Sequence, residues 1–232
     1  MSLPSRKPGG IPAATIARLP VYHRVLSTFG SQGIVTIASE ELAAACGVSS
    51  AKLRKDLSHL GSFGTRGVGY NVSYLTFHIA RELGVTKSRG IVIVGMGNLG
   101  RALASYRAFG ARGFHIVGIF DRDRELVGST LLCGQESFTV MPISDLAAVV
   151  SKNEANIGVI TTPAESAQEI ADLMIEAGLV SILNFAPVFL KVSQEVEVRK
   201  VDLAVELQIL AFHDQKLDSE PSPQELSQVD IA

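Results

Sequence analysis

The chain contains two cysteines, no tryptophan and no long apolar run. Cys46 and Cys133 fall in different predicted domains, so we expect no structural disulfide. Neither cysteine has a second ligand at metal-binding spacing, so we expect no metal site either. No apolar stretch approaches the length of a membrane span, and residues 1–10 lack the apolar core of a signal peptide. These absences favour a cytoplasmic protein without a membrane anchor.

Acidic residues are scarce in the first part of the chain. Residues 1–90 carry 11 Lys+Arg against 4 Asp+Glu, a net charge of +7. Residues 91–232 carry 10 against 19, a net charge of −9, which gives the overall −2. A basic module joined to an acidic one favours a polyanionic partner for the first module. Ordinary solvated surface charge is the alternative.

The basic module has the pattern of a helix-turn-helix. A helix is predicted over residues 11–30, and Pro20 is expected to bend or interrupt it. A short strand over 34–37 precedes a helix that Ser39 caps and that runs to Ala45. After a tight turn, a second helix is predicted over residues 50–60. Two short helices joined in this way are typical of DNA-binding domains.

The second helix and the segment after it carry candidate DNA contacts. Apolar residues form an inward stripe on this helix, which leaves basic and hydroxyl side chains for phosphates and base edges. Residues 63–72 alternate glycines with larger residues and are predicted to form a β-hairpin, or wing, whose tip residue Arg66 suits a narrow minor groove. A small helical domain with an ordinary hairpin is the alternative. The candidate contacts are Ser49, Ser50, Lys52, Arg54, Lys55, His59, Arg66, Gly67 and Tyr70.

A dinucleotide-binding fingerprint opens the acidic module. The strand over 91–94 leads into Gly95-x-Gly97-x-x-Gly100, with Asn98 and Leu99 between the glycines, and then into a helix predicted to reach about residue 109. A second strand over 114–120 ends at Asp121, where an acid can hold the adenosine ribose hydroxyls. The acid favours NAD(H) over NADP(H), although Arg122 and Arg124 weaken that preference. A glycine-rich turn with no ligand is the alternative.

Strands and helices continue to alternate after Asp121, which predicts a Rossmann-type, doubly wound parallel sheet of the α/β class. Ligands of such sheets lie outside the carboxyl ends of the strands. Turn residues are common at strand ends in any case, so their binding role is open on sequence grounds. The residues at those ends that we expect near the second ribose and the nicotinamide are Thr162, Pro163, Asn184, Phe185, Ala186 and Pro187.

Several segments together resemble the Rex family of redox-sensing transcriptional repressors. They include Leu-Arg-Lys-Asp-Leu-Ser at 53–58, Arg-Gly-Val-Gly-Tyr-Asn-Val at 66–72 and Asn-Phe-Ala-Pro at 184–187. Residues 11–20, 95–103 and 201–207 match as well, in order, over the range from 11 to about 210. The resemblance implies a homodimer that binds a palindromic operator and is released when NADH binds, while NAD⁺ competes without causing release.

The resemblance also implies roles for individual residues. It places Tyr106 beside the nicotinamide and makes Arg18 and Asp202 a switch between the first helix of one subunit and an exchanged C-terminal helix of the other. Wings of the family often have Lys where this chain has Thr65, which should lower DNA affinity and flatten its salt dependence. The implied domains are a winged helix over 1–84 and an NAD(H)-binding domain over 85–212. The latter includes the dimerisation helix from about 202, and a disordered tail follows over 213–232.

Two rival functions are weaker. An NAD-dependent oxidoreductase needs a positioned acid or base at the nicotinamide, but the five histidines lie elsewhere and no Tyr-x-x-x-Lys pair occurs. About 45 residues follow Asn184, too few for a substrate domain. A module that binds another nucleotide, such as coenzyme A, is the second rival. The sequence therefore predicts a non-enzymatic repressor with NAD and NADH as its ligands.

Overall fold

The chain divides into two compact units. The computed structural model describes residues 10–65, 67–134 and 136–219. The first unit ends at Ser88 and also includes Ala111–Gly113, and the second contains Arg89–Gly110 and the chain from Phe114 onward. The observed boundary lies four residues beyond the predicted one at residue 84.

The first unit is a winged helix. Helices α2 (Ser39–Ala45) and α3 (Ser50–Ser58) form the predicted helix-turn-helix. Strands β2 (Gly64–Thr65) and β3 (Gly69–Asn71) form the wing. Strand β3 also pairs with β1, which gives a three-stranded antiparallel sheet in the order β1-β3-β2. Leucines from α2, α3 and α4 pack against α1 in one core. The elements are α1 (Ala13–Ser31), β1 (Thr36–Ile37), α2 (Ser39–Ala45), α3 (Ser50–Ser58), β2 (Gly64–Thr65), β3 (Gly69–Asn71) and α4 (Val72–Glu82).

Pro20 was expected to bend or interrupt α1, and the helix runs through it without an interruption. Pro20 lies on the exposed side of the helix, whereas Leu19, Tyr22 and Leu26 are buried. The carbonyl that loses its hydrogen bond, that of Ile16, is on the same exposed side and can be hydrated. Burial of the opposite face holds the helix together, since each large apolar side chain contributes about 1.5–3 kcal/mol.

The second unit is built on a seven-stranded sheet in the order β10-β9-β8-β4-β5-β7-β6. All neighbours are parallel except β6 and β7, which form an antiparallel hairpin at one edge. The six parallel strands have the order of a doubly wound dinucleotide-binding sheet, which confirms the predicted fold class. The elements are β4 (Arg89–Val94), α5 (Asn98–Ala104), β5 (Phe114–Asp121), β6 (Thr130–Cys133), β7 (Glu136–Pro142), α6 (Leu146–Lys152), β8 (Ala155–Ile160), α7 (Ala164–Glu176), β9 (Ser181–Asn184), β10 (Glu197–Lys200) and α8 (Leu203–Ser219).

Both faces of this sheet are covered. Val92 and Val94 of β4 belong to one core with residues of α6 and α7, while Ile93 belongs to a second core with Ala104 of α5. Successive residues of a strand point to opposite faces, so the run of buried residues in β4 feeds both cores. Helices thus lie on both sides of the strands, and the loops at the strand ends are left to form a site.

The largest differences from the predicted helix ends are at α5 and α8. Helix α5 ends at Ala104, five residues before the predicted 109, and α8 continues to Ser219. Residues 213–219 are therefore helical rather than part of a disordered tail, and 220–232 lie outside the described residues. In the described ranges no helix combines the length and the apolar character needed to span a bilayer.

Candidate functional site

The three fingerprint glycines occupy different environments. Gly95 has a φ of 103°, in the region that favours glycine, at the tight turn after β4. A Cβ on Gly100 would run into the carbonyl oxygen of Gly95, so close packing of α5 on the turn requires glycine there. A Cβ on Gly97 would meet nothing within 4 Å. The fold itself therefore does not demand glycine at 97, whereas a ligand resting on the backbone would.

A cavity of about 490 Å³ lies over this turn, at the carboxyl ends of β4, β5 and β8. Strand order reverses between β4 and β8, and this is where doubly wound sheets bind nucleotides. Seven predicted residues line it: Gly95, Gly97, Leu99, Asp121, Thr162, Pro163 and Phe185. Ile143 and Ser166, which were not predicted, also line it, together with Thr161 and with Arg122, which was considered only for its charge.

Asp121 is held in place by backbone donors. Its Oδ2 accepts a hydrogen bond from the Met96 N–H at 2.5 Å, and its Oδ1 accepts one from the Asp123 N–H at 2.9 Å. A carboxylate has about four acceptor positions, so both oxygens can accept further bonds from a ligand. The carboxylate is thus oriented before any ribose hydroxyl arrives.

Two threonines after β8 have different tasks. The Thr161 hydroxyl lies 2.7 Å from the Gly95 carbonyl oxygen and 3.0 Å from that of Val94, so it links the end of β8 to the fingerprint turn. The Thr162 Oγ1 is buried and has no hydrogen-bond partner among the described residues. Because an unsatisfied buried hydroxyl is costly, Thr162 is suited to bond a polar ligand in the cavity that it lines.

The remaining predicted cofactor residues lie outside the lining of this cavity. Asn184 is fully buried, donates from Nδ2 to the Val188 carbonyl and accepts from the Ala186 N–H, both at 2.9 Å. It shapes the loop after β9, in which Ala186 is buried and Pro187 is exposed. Asn98 and Gly100 belong to the first turn of α5.

Tyr106 follows the end of α5 and lines a separate cavity of about 350 Å³ with Cys133 and His115. Its ring packs edge-on against Phe109, with 5.1 Å between ring centroids, and remains half exposed. The structure therefore does not bring Tyr106 to the fingerprint cavity within one chain.

The exposed side of α3 presents the predicted basic residues. Ser49 caps the helix by accepting a hydrogen bond from the Lys52 N–H at 3.2 Å. Lys52, Arg54 and Lys55 are exposed, and Ser50 and His59 are half-buried. Arg54 borders a groove of about 590 Å³ between α3 and the wing.

Tyr70, a predicted DNA contact, packs inside the first unit. This side chain is only 6% exposed and packs in the first core, where its ring covers Gly64. A role in packing the wing thus accounts for Tyr70 at least as directly as a DNA contact. Gly67 has a φ of 78°, which suits the turn between β2 and β3, and Arg66 lies outside the described residues.

The two predicted switch residues each have a partner in their own unit. Arg18 forms a two-point ion pair with Asp56, which is buried in α3. Asp202 lies 3.0 Å from the Lys200 ammonium, and its Oδ1 accepts bonds from the first turn of α8 at Ala204 and Val205. The Lys200 hydrogen bond, together with these backbone bonds, lowers the pKa of Asp202.

Comparisons with known proteins agree with both halves of this description. Residues 10–58 match a family described as "Putative DNA-binding protein N-terminus", and 86–188 match one described as "CoA binding domain". Two relatives are named "Redox-sensing transcriptional repressor Rex". The one from Streptomyces griseus is 50% identical over 96% of this chain and 86% of its own length, and that from Desulfitobacterium hafniense is 50% identical over 88% and 95%.

Solved structures of RSP, a Rex-family repressor, are also similar. Its complex with β-NAD⁺ and operator DNA has a TM-score of 0.82 and 33% identity, over 93% of this chain and all of that one. Its complex with β-NADH has a TM-score of 0.78 and 32% identity, over 92% and 99% of the two chains.

A winged helix joined to a dinucleotide-binding sheet defines a transcription regulator with a nucleotide sensor domain. Its relatives are named as repressors rather than as enzymes. The chain belongs to the Rex family of redox-sensing transcriptional repressors.

Proposed function

We propose that this protein represses transcription by binding a palindromic operator as a homodimer in the cytoplasm, and that NADH releases it. The observation that carries the proposal is the fingerprint cavity, with a preoriented Asp121 and an unsatisfied Thr162 hydroxyl, in one chain with a basic helix-turn-helix. The related protein RSP has been crystallised with β-NAD⁺ and operator DNA, and with β-NADH.

The dinucleotide has a defined place in this proposal. Its pyrophosphate lies over Gly97, where the backbone can be approached closely, and its adenosine ribose bonds to Asp121. A carboxylate at that position repels a 2′-phosphate, so NAD(H) is preferred to NADP(H). Thr162, Pro163 and Phe185 line the remainder of the cavity, toward the nicotinamide.

Operator DNA is bound by the first unit. Helix α3 enters the major groove, where Lys52, Arg54 and Lys55 reach phosphates and base edges, and the wing with Arg66 reaches the minor groove. A dimer presents two such helices to the two halves of a palindrome. This is why operator binding requires a second copy of the chain.

Helix α8 supplies the reason to expect that second copy. Its apolar side chains are 43–66% exposed in the single chain, although a helix that is apolar on several sides is stable in water only when covered. We propose that the partner subunit covers these side chains. Asp202, at the start of the helix, then lies near the first helix of the partner. The exposed residues are Leu203, Val205, Leu207, Ile209, Leu210 and Phe212.

Charge distinguishes the two redox forms. Oxidised nicotinamide is a cation and reduced nicotinamide is neutral, so an apolar pocket disfavours NAD⁺ by the cost of removing that cation from water, several kcal/mol. A ligand shifts a two-state dimer only by its differential affinity for the two states. NADH therefore favours an arrangement in which Tyr106, Arg18 and Asp202 exchange partners and the two α3 helices no longer fit successive major grooves.

An electrophoretic mobility shift assay tests the proposal. The full chain is bound to a palindromic duplex at fixed NAD⁺ and titrated with NADH, and we expect the complex to dissociate. DNA affinity that saturating NADH leaves unchanged would refute the sensor. A parallel titration follows the fluorescence of NADH or NADPH, with NAD⁺ and coenzyme A added as competitors. It separates this function from that of a coenzyme A-binding module, which the second family match favours.

A further inference from the structure

The groove beside α3 contains an acid. It lies between the start of α2, helix α3 and the wing, and its charged lining residues among those described are Arg54 and Glu40. A carboxylate in a surface that meets phosphates repels them and lowers DNA affinity. Glu40 would therefore weaken binding unless it contributed to recognition in another way.

Glu40 and Ser39 hold one end of Arg54. The Arg54 Nη1 donates to Glu40 Oε1 and to Ser39 Oγ, both at 3.1 Å, and the Ser39 hydroxyl lies 3.0 Å from the same carboxylate oxygen. The backbone N–H of Glu40 and the Ser39 hydroxyl lower the pKa of Glu40, and Arg54 lowers it further. The carboxylate is therefore charged at neutral pH.

These contacts use one edge of the guanidinium. Arginine has five N–H donors in a planar fork, and the bonds to Glu40 and Ser39 are made through Nη1. The Nε and Nη2 groups form a second edge with two parallel donors. Two parallel donors match the O6 and N7 acceptors of guanine in the major groove.

We propose that Glu40 is a specificity-determining residue, which orients Arg54 toward a base edge and keeps it from a phosphate. The proposal rests on the DNA-binding role assigned to α3 above. Glu40 acts through Arg54 and is thus a positioning residue. Its charge also repels the phosphates of operator and non-cognate DNA alike, which lowers both affinities and leaves their ratio unchanged.

The variant Glu40→Gln tests both effects, since it removes the charge at nearly constant shape. Arg54 is then free to neutralise a phosphate, so affinity for non-cognate DNA should rise. The ratio of non-cognate to operator Kd should fall about fivefold or more, the range expected for one bidentate base contact. The plot of log affinity against log salt concentration should steepen by about 0.9 for each phosphate gained.

The experiment uses the full chain and two duplexes. The first is selected by the wild-type protein from a randomised palindromic library, and the second is a scrambled duplex of the same composition. Fluorescence anisotropy gives both Kd values at several salt concentrations for Glu40→Gln, Arg54→Ala and the double variant. Glu41→Gln is the matched control, because Glu41 is an exposed acid on the same helix that does not line the groove.

The expected result is a loss of discrimination for Glu40→Gln but not for Glu41→Gln, and no further loss when Arg54→Ala is already present. An equal change in both glutamine variants, or the same loss in the Arg54→Ala background, overturns the inference and leaves the repressor function intact. A wild-type chain that selects no sequence from the library overturns the repressor function itself, and the role of Glu40 with it.

Discussion

Arg18 of α1 and Asp56 of α3 form a two-point ion pair, with Nε and Nη2 at 2.6 and 2.7 Å from the two carboxylate oxygens. The Tyr22 hydroxyl donates to the same carboxylate at 2.7 Å, and that of Thr15 at 3.0 Å. Burial tends to raise the pKa of Asp56, but these hydrogen bonds and the charge of Arg18 outweigh it and lower the pKa to about 2. One buried carboxylate thus fixes α3 against the first helix.

Asp56→Asn should destabilise the first unit. The substitution leaves the Arg18 guanidinium without its counter-charge, and breaking a buried pair in this way costs 3–5 kcal/mol. The Arg18 side chain is 25% exposed, so water can partly solvate its charge. We therefore expect the free energy of unfolding to fall by less, about 2–4 kcal/mol. Urea unfolding followed by circular dichroism measures it, with Glu41→Gln as the control. Equal stability of the two variants would show that the network contributes nothing.

The same carboxylate predicts an acid-sensitive step. A pKa lowered from 3.8 to about 2 means that the folded state stabilises the charged form. That stabilisation is complete above the unfolded pKa and is lost as the pH falls through the folded one. Between pH 5 and pH 2, wild type should therefore lose about 2 kcal/mol more than Asp56→Asn. Parallel pH profiles for the two proteins would rule this out.

Gly97→Ala should lower NADH affinity, whereas Gly100→Ala should lower the stability of the fold. A methyl group at 97 meets nothing in the chain, so stability should change by less than about 1 kcal/mol, while NADH affinity falls about tenfold because the pyrophosphate is held off. A methyl group at 100 meets the Gly95 carbonyl, so the fold should lose about 2 kcal/mol. Thermal unfolding and NADH fluorescence separate the two. If Gly97→Ala binds NADH normally, no ligand approaches that backbone.

Asp121→Asn should weaken NADH binding and leave DNA affinity unchanged. The amide oxygen can still accept the Met96 N–H, but the charge that strengthens the ribose bonds is gone, at a cost of about 1.5–3 kcal/mol. Discrimination against NADPH should shrink as well, because the acid no longer repels a 2′-phosphate. Calorimetric titration with both nucleotides measures the change. Equal loss of NADH and DNA binding would indicate misfolding instead.

Tyr106→Phe should blunt the NADH response more than it alters DNA binding without ligand. In the single chain the side chain is half exposed in its own cavity, so loss of the hydroxyl leaves the fold intact. An effect on the NADH response would therefore support the proposed role of Tyr106 in the dimer. A variant that leaves DNA at the wild-type NADH concentration would assign Tyr106 no sensing role.

The sequence pattern predicted the parts of the fold that depend on local signals. The fingerprint glycines, the apolar run of β4 and the position of Asp121 located the cavity, because each has a fixed place in a strand–turn–helix unit. Strands β6 and β10 were missed. Both are four-residue edge strands, too short to show a clear period. Strand β10 also has mixed polarity, and β6 forms only through its hairpin with β7.

The sequence also did not predict the hydrogen-bond networks between polar side chains. Asp56 is three residues after Leu53 and next to Leu57, so its spacing places it on the apolar face of α3. The spacing does not reveal that α1 supplies hydrogen-bond partners for a carboxylate on that face. Ser39 was expected to cap α2, yet the cap residue is Ala38 and the Ser39 hydroxyl bonds to Glu40. Only three-dimensional contacts identify such partners, since Tyr22 and Asp56 are 34 residues apart.

The Thr161 hydroxyl, which joins the ends of β8 and β4 through the Gly95 and Val94 carbonyls, has a thermodynamic consequence for sensing. Because the two loops are already hydrogen-bonded to each other, they lose little conformational entropy when a dinucleotide binds between them. Little of the binding free energy is then spent on local ordering, and more remains to drive quaternary change. Under the proposed function, the response then depends on how differently NADH and NAD⁺ bind the two arrangements of the dimer, and little on ordering of the site itself.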